Sequence, residues 1–100
     1  MIYAVQLSQS AIEDLIGLHR WVSGETDPAT ANGYLDRIEE RIASLSQFPD
    51  RGTPRDDLIA GLRTLAFERR LMIAYMVDDG IVTVLRVINS ARDLAPIFTN

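Results

Sequence analysis

The feature that most constrains this chain is the stretch Gly61–Asp93, which reads GLRTLAFERRLMIAYMVDDGIVTVLRVINSARD. Its runs of apolar and β-branched residues predict three strands, at Leu62–Phe67, Arg70–Val77 and Ile81–Asn89. Asp78-Asp79-Gly80 supplies a tight turn between the last two, because aspartate and glycine tolerate the backbone angles of hairpin turns. Strands joined so closely pair in antiparallel order. The stretch therefore predicts a three-stranded antiparallel meander on which the rest of the chain has to pack.

The region before the meander predicts a strand and then a first helix. Ile2–Leu7 alternates in the manner of a strand. Ser10 and Glu13 have the spacing of a capping box, in which the hydroxyl and the carboxylate each bond a free amide at a helix start. The helix should end near Ser23-Gly24. One apolar stripe runs along it and consists of Ile12, Leu15, Ile16, His19 and Val22.

A second helix should begin at Asp27-Pro28, with the aspartate as its cap and the proline at the first helical position, where no amide is needed. It stops before Pro49, and the short break between the helices predicts an antiparallel hairpin. Phe48–Asp57 contains prolines and a glycine and is predicted to be a loop. The apolar stripe of this helix is Ala31, Tyr34, Leu35, Ile38, Ile42 and Leu45. Its outer face should be solvated and holds Asp36, Arg37, Glu39, Glu40 and Arg41.

These elements together predict an α+β fold: an N-terminal strand, an antiparallel helix hairpin and the meander, forming one small sheet packed on the helices. One hundred residues can bury a single core, so residues 1–100 are expected to form one domain. The chain has no cysteine, no signal-peptide pattern and no long apolar segment. We therefore expect a cytoplasmic protein with no membrane role. Thr99 and Asn100 should fray.

Both faces of the predicted sheet are largely apolar. In the second strand, Leu71, Ile73, Tyr75 and Val77 alternate with Met72, Ala74 and Met76; in the third, Ile81, Thr83, Leu85 and Val87 alternate with Val82, Val84, Arg86 and Ile88. Two consecutive helices can cover only one face. A partner, a second copy of the chain or the segment Ser90–Phe98 has to cover the other, and we favour a partner.

The charge distribution limits the class of partner. The net charge is −4, and all ten basic side chains other than His19 are arginines. Residues 1–50 carry eight acidic residues and three arginines, whereas residues 51–100 carry six and seven. An acidic chain is poorly suited to nonspecific polyanion binding. Any contact with nucleic acid must therefore be local, and sequence-specific binding is not expected.

Arginines are the residues of the meander that most strongly suggest a site. Arg86 is the only charge in the run Ile81–Ile88. Its stem could pack while its head reaches water or a carboxylate, or its guanidinium could bind a phosphate or a partner's carboxylate. Arg69-Arg70, at the start of a strand, could be simple turn charges or could contribute to such a site. His19 is interpreted as a core or flank histidine. With no second histidine and no cysteine, no metal site is expected, and no cofactor loop or catalytic triad is present.

The order strand, helix hairpin, proline-glycine loop and meander, together with four short motifs, resembles the RelE/ParE superfamily of bacterial type II toxins over nearly the whole chain. The likeness is greater to the ParE branch. The motifs are Gly61-Leu62-Arg63, Tyr75, Leu85-Arg86-Val87 and Arg92-Asp93. The resemblance implies a compact α+β toxin in a hetero-oligomer with a cognate antitoxin, ParD-like and of the ribbon-helix-helix type, whose C-terminal segment wraps the toxin.

The resemblance also implies a choice of target. ParE-like members are associated with inhibition of DNA gyrase and with plasmid stabilisation. RelE-like members cleave messenger RNA on the ribosome, using basic residues of the sheet and a C-terminal histidine or tyrosine. This sequence departs from the nuclease pattern, because Asn89 stands where many relatives have histidine and no tyrosine follows Tyr75. Arginine supplies cations but stays protonated and is a poor proton shuttle.

We therefore expect a gyrase-directed toxin with no catalytic residue and no cofactor. Within the resemblance, Arg63 matches the arginine after the Gly-Leu pair, and Arg86 and Arg92 match basic positions on and after the last strand. Together with Arg70, these are the candidates for binding the target or the antitoxin. A RelE-like ribonuclease and a non-toxic, antitoxin-binding member remain the alternatives.

Overall fold

The computed structural model describes residues 2–98, so the predicted fraying of Thr99 and Asn100 lies outside the described residues. The elements in chain order are β1 (Ala4–Leu7), α1 (Gln9–Glu25), α2 (Pro28–Ala43), a 3₁₀ turn (Ser44–Ser46), β2 (Thr53–Pro54), β3 (Leu62–Phe67), β4 (Leu71–Asp78), β5 (Ile81–Asn89) and α3 (Ala95–Phe98). None of the helices within the described range has both the length and the apolar character that crossing a membrane requires.

The predicted α+β fold is confirmed, with two differences in the sheet. Its five strands lie in the order β1-β5-β4-β3-β2. β3, β4 and β5 form the predicted antiparallel meander, but β1 pairs with β5 in parallel, so the sheet is mixed. The second difference is β2, a short edge strand within the region predicted to be only a loop. The pairing of β1 with β5 has no local signal, because it joins segments that are distant in the sequence. β2 has only two residues, one of them a proline, so its sequence is typical of a loop.

The first helix begins earlier than predicted. Its cap is Ser8, whose Oγ accepts a hydrogen bond from the Ala11 amide at 3.1 Å, so the capping box of Ser10 and Glu13 does not form. The Ser8 hydroxyl also donates to the Leu85 carbonyl at 2.8 Å. A serine that caps a helix and bonds the sheet at once is favoured over one that only caps, and this second contact is invisible in the sequence.

The break between the helices is tighter than predicted. α1 continues through Ser23-Gly24 to Glu25, and the Thr26 amide and hydroxyl both donate to the Val22 carbonyl. The predicted cap of α2 is confirmed, since Asp27 Oδ1 accepts from the Thr30 amide at 2.7 Å. That hydrogen bond holds the pKa of Asp27 below its usual value. The result is the predicted antiparallel hairpin, which covers one face of the sheet.

The main core lies between the hairpin and that face. Ile73 and Tyr75 of β4 and Val82 and Val84 of β5 have no exposed surface. They pack in one cluster with residues from both helices and the turn after them, among which are Ala11, Leu15, Ile38, Ile42 and Leu45. The buried residues of α2, Ala31, Ile38 and Ile42, belong to the predicted apolar stripe, because a 3.6-residue period places them on one side of the helix. The stripe predicted for α1 is wrong in part, since Leu15 is buried but Ile12 and Ile16 are exposed and Ala11 is buried in their place.

A β-bulge in β5 changes which residues share a face. Tyr75 pairs with Val84 and Ala74 pairs with Arg86, so Leu85 is an extra residue without a partner on β4. Val84 and Val87 therefore both lie in the core cluster, although strict alternation would have placed them on opposite faces. The alternation predicted for the third strand is thus wrong beyond Val84.

The second face of the sheet is covered at its centre by the chain itself. Strand register places Leu62, Ala74 and Ile88 there, and none of the three is more than 4% exposed. Leu94, in the segment after β5, is also buried. The centre of this face therefore needs no partner to cover it, contrary to the interpretation favoured from the sequence.

The turn between β3 and β4 is strained, whereas the turn between β4 and β5 is not. Asp79 and Gly80 take φ values of 50° and 75°, as their residue types allow. Glu68 and Arg69 also take positive φ values, 48° and 62°, although neither residue type favours this region. One contact that holds the strained turn in place is the hydrogen bond from the Ser90 hydroxyl to the Arg69 carbonyl, at 3.0 Å.

Replacing Arg69 by glycine should raise the free energy of unfolding. Relief of the left-handed conformation is worth about 1–2 kcal/mol, and the greater freedom of glycine in the unfolded chain offsets about 0.4–1 kcal/mol of it. The adjacent Arg70→Gly is the matched control and should lower stability, because Arg70 is not at positive φ. Urea denaturation measures the free energy of unfolding of both variants, which should change in opposite directions. A loss of stability in Arg69→Gly would show that Arg69 is not strained.

Candidate functional site

The fold does not bring the four predicted arginines together. Arg70 and Arg92 lie at one end of the sheet, since the Ser90 amide donates to the Arg70 carbonyl at 2.8 Å and the Arg92 amide donates to the Asn89 carbonyl. Arg63 lies opposite Tyr75, nearer the other end of β4. Four residues of extended strand, about 13 Å, separate that position from the start of β4. The four arginines therefore do not converge on one point of the sheet.

Arg86 is bound by a carboxylate of the first helix. Its Nε donates to Asp14 Oδ2 at 2.8 Å and its Nη2 donates to Asp14 Oδ1 at 3.0 Å. Asp14 Oδ2 also accepts from the Val87 amide at 2.9 Å. The pairing of β1 with β5 ends at Leu7 and Val84, so this carboxylate takes the place of the missing strand at the β5 edge. The hydrogen bond that Arg86 donates to Asp14 raises the pKa of Arg86.

Arg63 and Tyr75 hold the loop that precedes β2. Arg63 Nη1 donates to the carbonyl oxygens of Asp50 at 3.0 Å and Gly52 at 2.8 Å. The Tyr75 hydroxyl donates to the Pro49 carbonyl at 2.7 Å and accepts from the Gly52 amide at 2.9 Å. Burial raises the pKa of Tyr75. Both side chains thus have a role within the molecule, fixing a short loop against β3 and β4.

Arg70 and Arg92 differ from the other two candidates. Both side chains are exposed, and neither forms an ion pair or a side-chain hydrogen bond with any residue in the range 2–98. Arg69 is exposed in the same turn as Arg70. An exposed guanidinium retains all five of its N–H donors for an external carboxylate or phosphate. Of the four predicted arginines, Arg70 and Arg92 at this end of the sheet are therefore the two that are open to a binding partner.

A second group of arginines, which the sequence analysis assigned to a solvated face, lies at the end of α2. The Arg37 guanidinium lies 5.4 Å from the Tyr34 ring centroid, and that of Arg41 lies 5.6 Å from the Phe67 ring centroid. The two rings are themselves 5.9 Å apart. Cations and aromatic faces attract at such distances. Arg37 pairs with Glu68 of the strained turn at 3.0 Å.

These residues line a polar pocket, here called the arginine pocket, formed by Arg37, Glu40, Arg41, Ser44, Arg51, Phe67 and Glu68. One signal in the sequence could have indicated it. Arg37 and Arg41 are like charges four residues apart, a spacing that destabilises an isolated helix. The sequence does not reveal the third arginine, because Arg51 reaches the pocket from the loop after the 3₁₀ turn.

The helix hairpin presents an apolar groove. Among the residues that line it, Ile16 is 54% exposed and Leu7 and Ile12 are each more than a third exposed. His19 lies beside the groove and is half-buried, with Nε2 2.7 Å from Asn32 Oδ1 of α2, as predicted for a flank histidine. In the described part of the chain, no three acidic or histidine side chains are grouped so that they could hold a metal ion.

Replacing Gly52 by alanine should destabilise the fold. A Cβ atom at Gly52 would lie 2.6 Å from the Tyr75 hydroxyl and 3.0 Å from the Thr64 carbonyl, and neither can move without breaking a contact. Overpacking of this kind costs about 1–3 kcal/mol. Gly17→Ala is the control, because its Cβ meets nothing within 4 Å, and alanine in a helix gains about 0.5–1 kcal/mol over glycine. Thermal unfolding of both variants measures the difference.

Replacing Asp14 by alanine should also destabilise the fold, because it leaves the Arg86 guanidinium and the Val87 amide without their acceptor. Hydrogen bonds to charged groups contribute about 1.5–3 kcal/mol. The exposed neighbour Glu13 provides the control, and its replacement by alanine should change stability by less than about 0.5 kcal/mol. Equal unfolding midpoints in urea for the two variants would show that Asp14 does not join α1 to β5.

The amino-acid sequence matches a family model described as the ParE toxin of the type II toxin-antitoxin system, parDE, over residues 5–94. It is 33% identical over 82 residues to Toxin ParE3 of Caulobacter vibrioides, an alignment that covers 82% of this chain and 81% of that protein. It is 30% identical over 82 residues to Toxin RelE2 of the same organism, covering 82% and 89%.

The fold is also that of solved toxins. It is similar to a chain of the chromosomal ParDE toxin-antitoxin system from P. aeruginosa, with a TM-score of 0.78 and 22% identity over 88% of this chain and 96% of that one. It is similar to a chain of the toxin-antitoxin complex RelBE2 from Mycobacterium tuberculosis, with a TM-score of 0.67 and 25% identity over 89% and 99%. This chain is therefore a type II toxin that belongs to the ParE family, within the RelE/ParE superfamily.

Proposed function

We propose that this toxin inhibits growth by binding and poisoning DNA gyrase in the cytoplasm, and that a ParD-like antitoxin of the ribbon-helix-helix type neutralises it by wrapping its surface. The match to the ParE family model over residues 5–94 supports the gyrase branch of the superfamily. The relatives from P. aeruginosa and M. tuberculosis belong to toxin-antitoxin systems, which supports a partner of this kind.

The observation that carries the proposal is the state of the one tyrosine in the sheet. Attack of a ribose 2′-hydroxyl on a phosphate needs a proton acceptor and a proton donor beside the cations. Tyr75 is fully buried, its hydroxyl is bonded to Pro49 and Gly52, and burial raises its pKa. Arginines cannot replace it, because they stay protonated. A sheet equipped in this way suits binding better than phosphodiester cleavage.

His19, Asn89 and Asp14 also offer no free proton acceptor on the sheet, which supports the same proposal. His19 is the only histidine of the chain, and it lies on α1 in contact with Asn32. Asn89, at the end of β5, cannot exchange protons in the physiological range. Asp14 is occupied by Arg86 and by the Val87 amide.

Two surfaces are suited to the two protein partners. The apolar groove of the hairpin offers exposed aliphatic side chains to an amphipathic segment of the antitoxin. Arg70 and Arg92 offer guanidiniums that no residue in the described chain engages, and we assign them to the target. Arg63 and Arg86 act on either partner only through the loop and the helix that they hold in place.

A RelE-like ribonuclease is the second candidate, because the chain is also 30% identical to Toxin RelE2. The first experiment separates the two. The chain is induced alone in a bacterial host, and DNA damage signalling and messenger RNA integrity are followed side by side. We expect DNA damage with intact transcripts. Cleaved transcripts without DNA damage would replace the proposal with the ribonuclease, and normal growth would favour a non-toxic, antitoxin-binding member.

Arg70→Ala and Arg92→Ala test the assignment of the target surface. Each should weaken binding to purified gyrase by about fivefold to tenfold, as for a side chain worth more than 1 kcal/mol at an interface. The DNA damage signal should fall accordingly while antitoxin binding persists. Arg20→Ala is the matched control, an exposed arginine on α1. Equal losses in all three variants would point to net charge in place of a defined surface.

A further inference from the structure

The arginine pocket at the end of α2 contains two guanidiniums that no carboxylate neutralises. Of its three arginines, Arg37 is paired with Glu68 through hydrogen bonds of 3.0 and 3.4 Å. Arg41 and Arg51 have no acidic side chain within ion-pair distance among residues 2–98. Two glutamates and three arginines line the pocket, so its formal charge is +1 within a chain whose net charge is −4.

Both unpaired guanidiniums are nonetheless held in place. Arg41 lies against the face of Phe67, which is 3% exposed and therefore cannot move aside. Arg51 Nη1 donates to Ser44 Oγ at 3.0 Å, and the Ser44 hydroxyl donates in turn to the Arg41 carbonyl at 2.6 Å. A guanidinium fixed by a ring or by a hydroxyl loses little conformational entropy when it binds an oxyanion. The pocket is therefore organised before any ligand arrives.

We propose that the arginine pocket binds a carboxylate presented by an acidic segment of a protein partner. Planar guanidiniums match the two oxygens of a carboxylate, and a pocket with a formal charge of +1 is complemented by one negative charge. Glu40 and Glu68 at its walls would repel the closely spaced phosphates of a nucleic acid, and so would the acidic remainder of the chain.

The neighbouring loop adds an apolar contact for such a segment. The Phe48 amide donates to the Ser44 carbonyl, and the Arg51 amide donates to the Phe48 carbonyl, so Phe48 is connected to the pocket through its backbone. Its side chain is 60% exposed. Aromatic residues and arginines together are typical of the side chains that contribute most to protein–protein binding. An acidic segment that carries an apolar residue beside its carboxylate would use both.

The test uses the purified full chain and a rhodamine-labelled peptide of alternating glutamate and alanine, with binding followed by fluorescence anisotropy at low salt. Arg41→Gln and Arg51→Gln should each weaken binding by about fivefold, the effect of one charge-assisted hydrogen bond. Arg20→Gln removes the same charge elsewhere and should change binding by less than about twofold. An unlabelled oligouridylate of matched charge should compete poorly.

Three outcomes would overturn the proposal. The first is equal binding by Arg41→Gln, Arg51→Gln and Arg20→Gln. The second is tighter binding of the oligouridylate than of the peptide, with loss in Arg41→Gln, which would assign the pocket to nucleic acid. The third outcome comes from the wild-type protein, so it does not depend on whether the variants fold. If the Nε–H signals of Arg41 and Arg51 do not shift when the peptide is titrated in an NMR experiment, the pocket is not the binding site of the peptide.

Discussion

The attachment of α1 to the edge of β5 is the contact on which the rest of the structure depends. β1 pairs with β5 only as far as Val84, and beyond this point side chains of the chain's first part take over from the strand. Ser8 bonds the Leu85 carbonyl, and Asp14 bonds the Arg86 side chain and the Val87 amide. The hairpin is thereby fixed on the sheet at β5, the second strand from one edge, next to the only bulge in the β4–β5 pairing.

This contact gives a physical meaning to one of the motifs that carries the family resemblance. Leu85-Arg86-Val87 looks in the sequence like a strand with one exposed cation. In the structure, Leu85 is the bulged residue, Arg86 reaches the helix and Val87 returns to the core. The motif therefore specifies how the two layers join, and its arginine binds Asp14 of the first helix.

Much of the fold could be predicted because its signals are local. The meander, the apolar stripe of α2 and its Asp27-Pro28 start depend on residues close together in the sequence. The errors occur where a distant contact decides. Ser8 replaces Ser10 as the cap because it also reaches Leu85, and the bulge breaks an alternation that the sequence shows intact. The parallel place of β1 beside β5 has no local signal at all.

The candidate site was harder to predict for the same reason. The sequence identifies arginines but gives no distances between them, so four residues that are spread over the sheet looked like one group. It also cannot tell a guanidinium bound within the molecule, as in Arg63 and Arg86, from an open one, as in Arg70 and Arg92. Arg41 and Arg51 were not among the candidates because a helix residue and a loop residue meet only in the folded chain.

Because the second face of the sheet is already covered at its centre, formation of the core does not depend on binding of a partner. In many protein complexes these two events are coupled. Leu62, Ala74 and Ile88 are buried by the chain's own segments, so removal of a partner would not open the centre of the sheet to water. The free chain therefore keeps its core without an antitoxin. Separation from a bound partner would need dissociation but no refolding of the sheet.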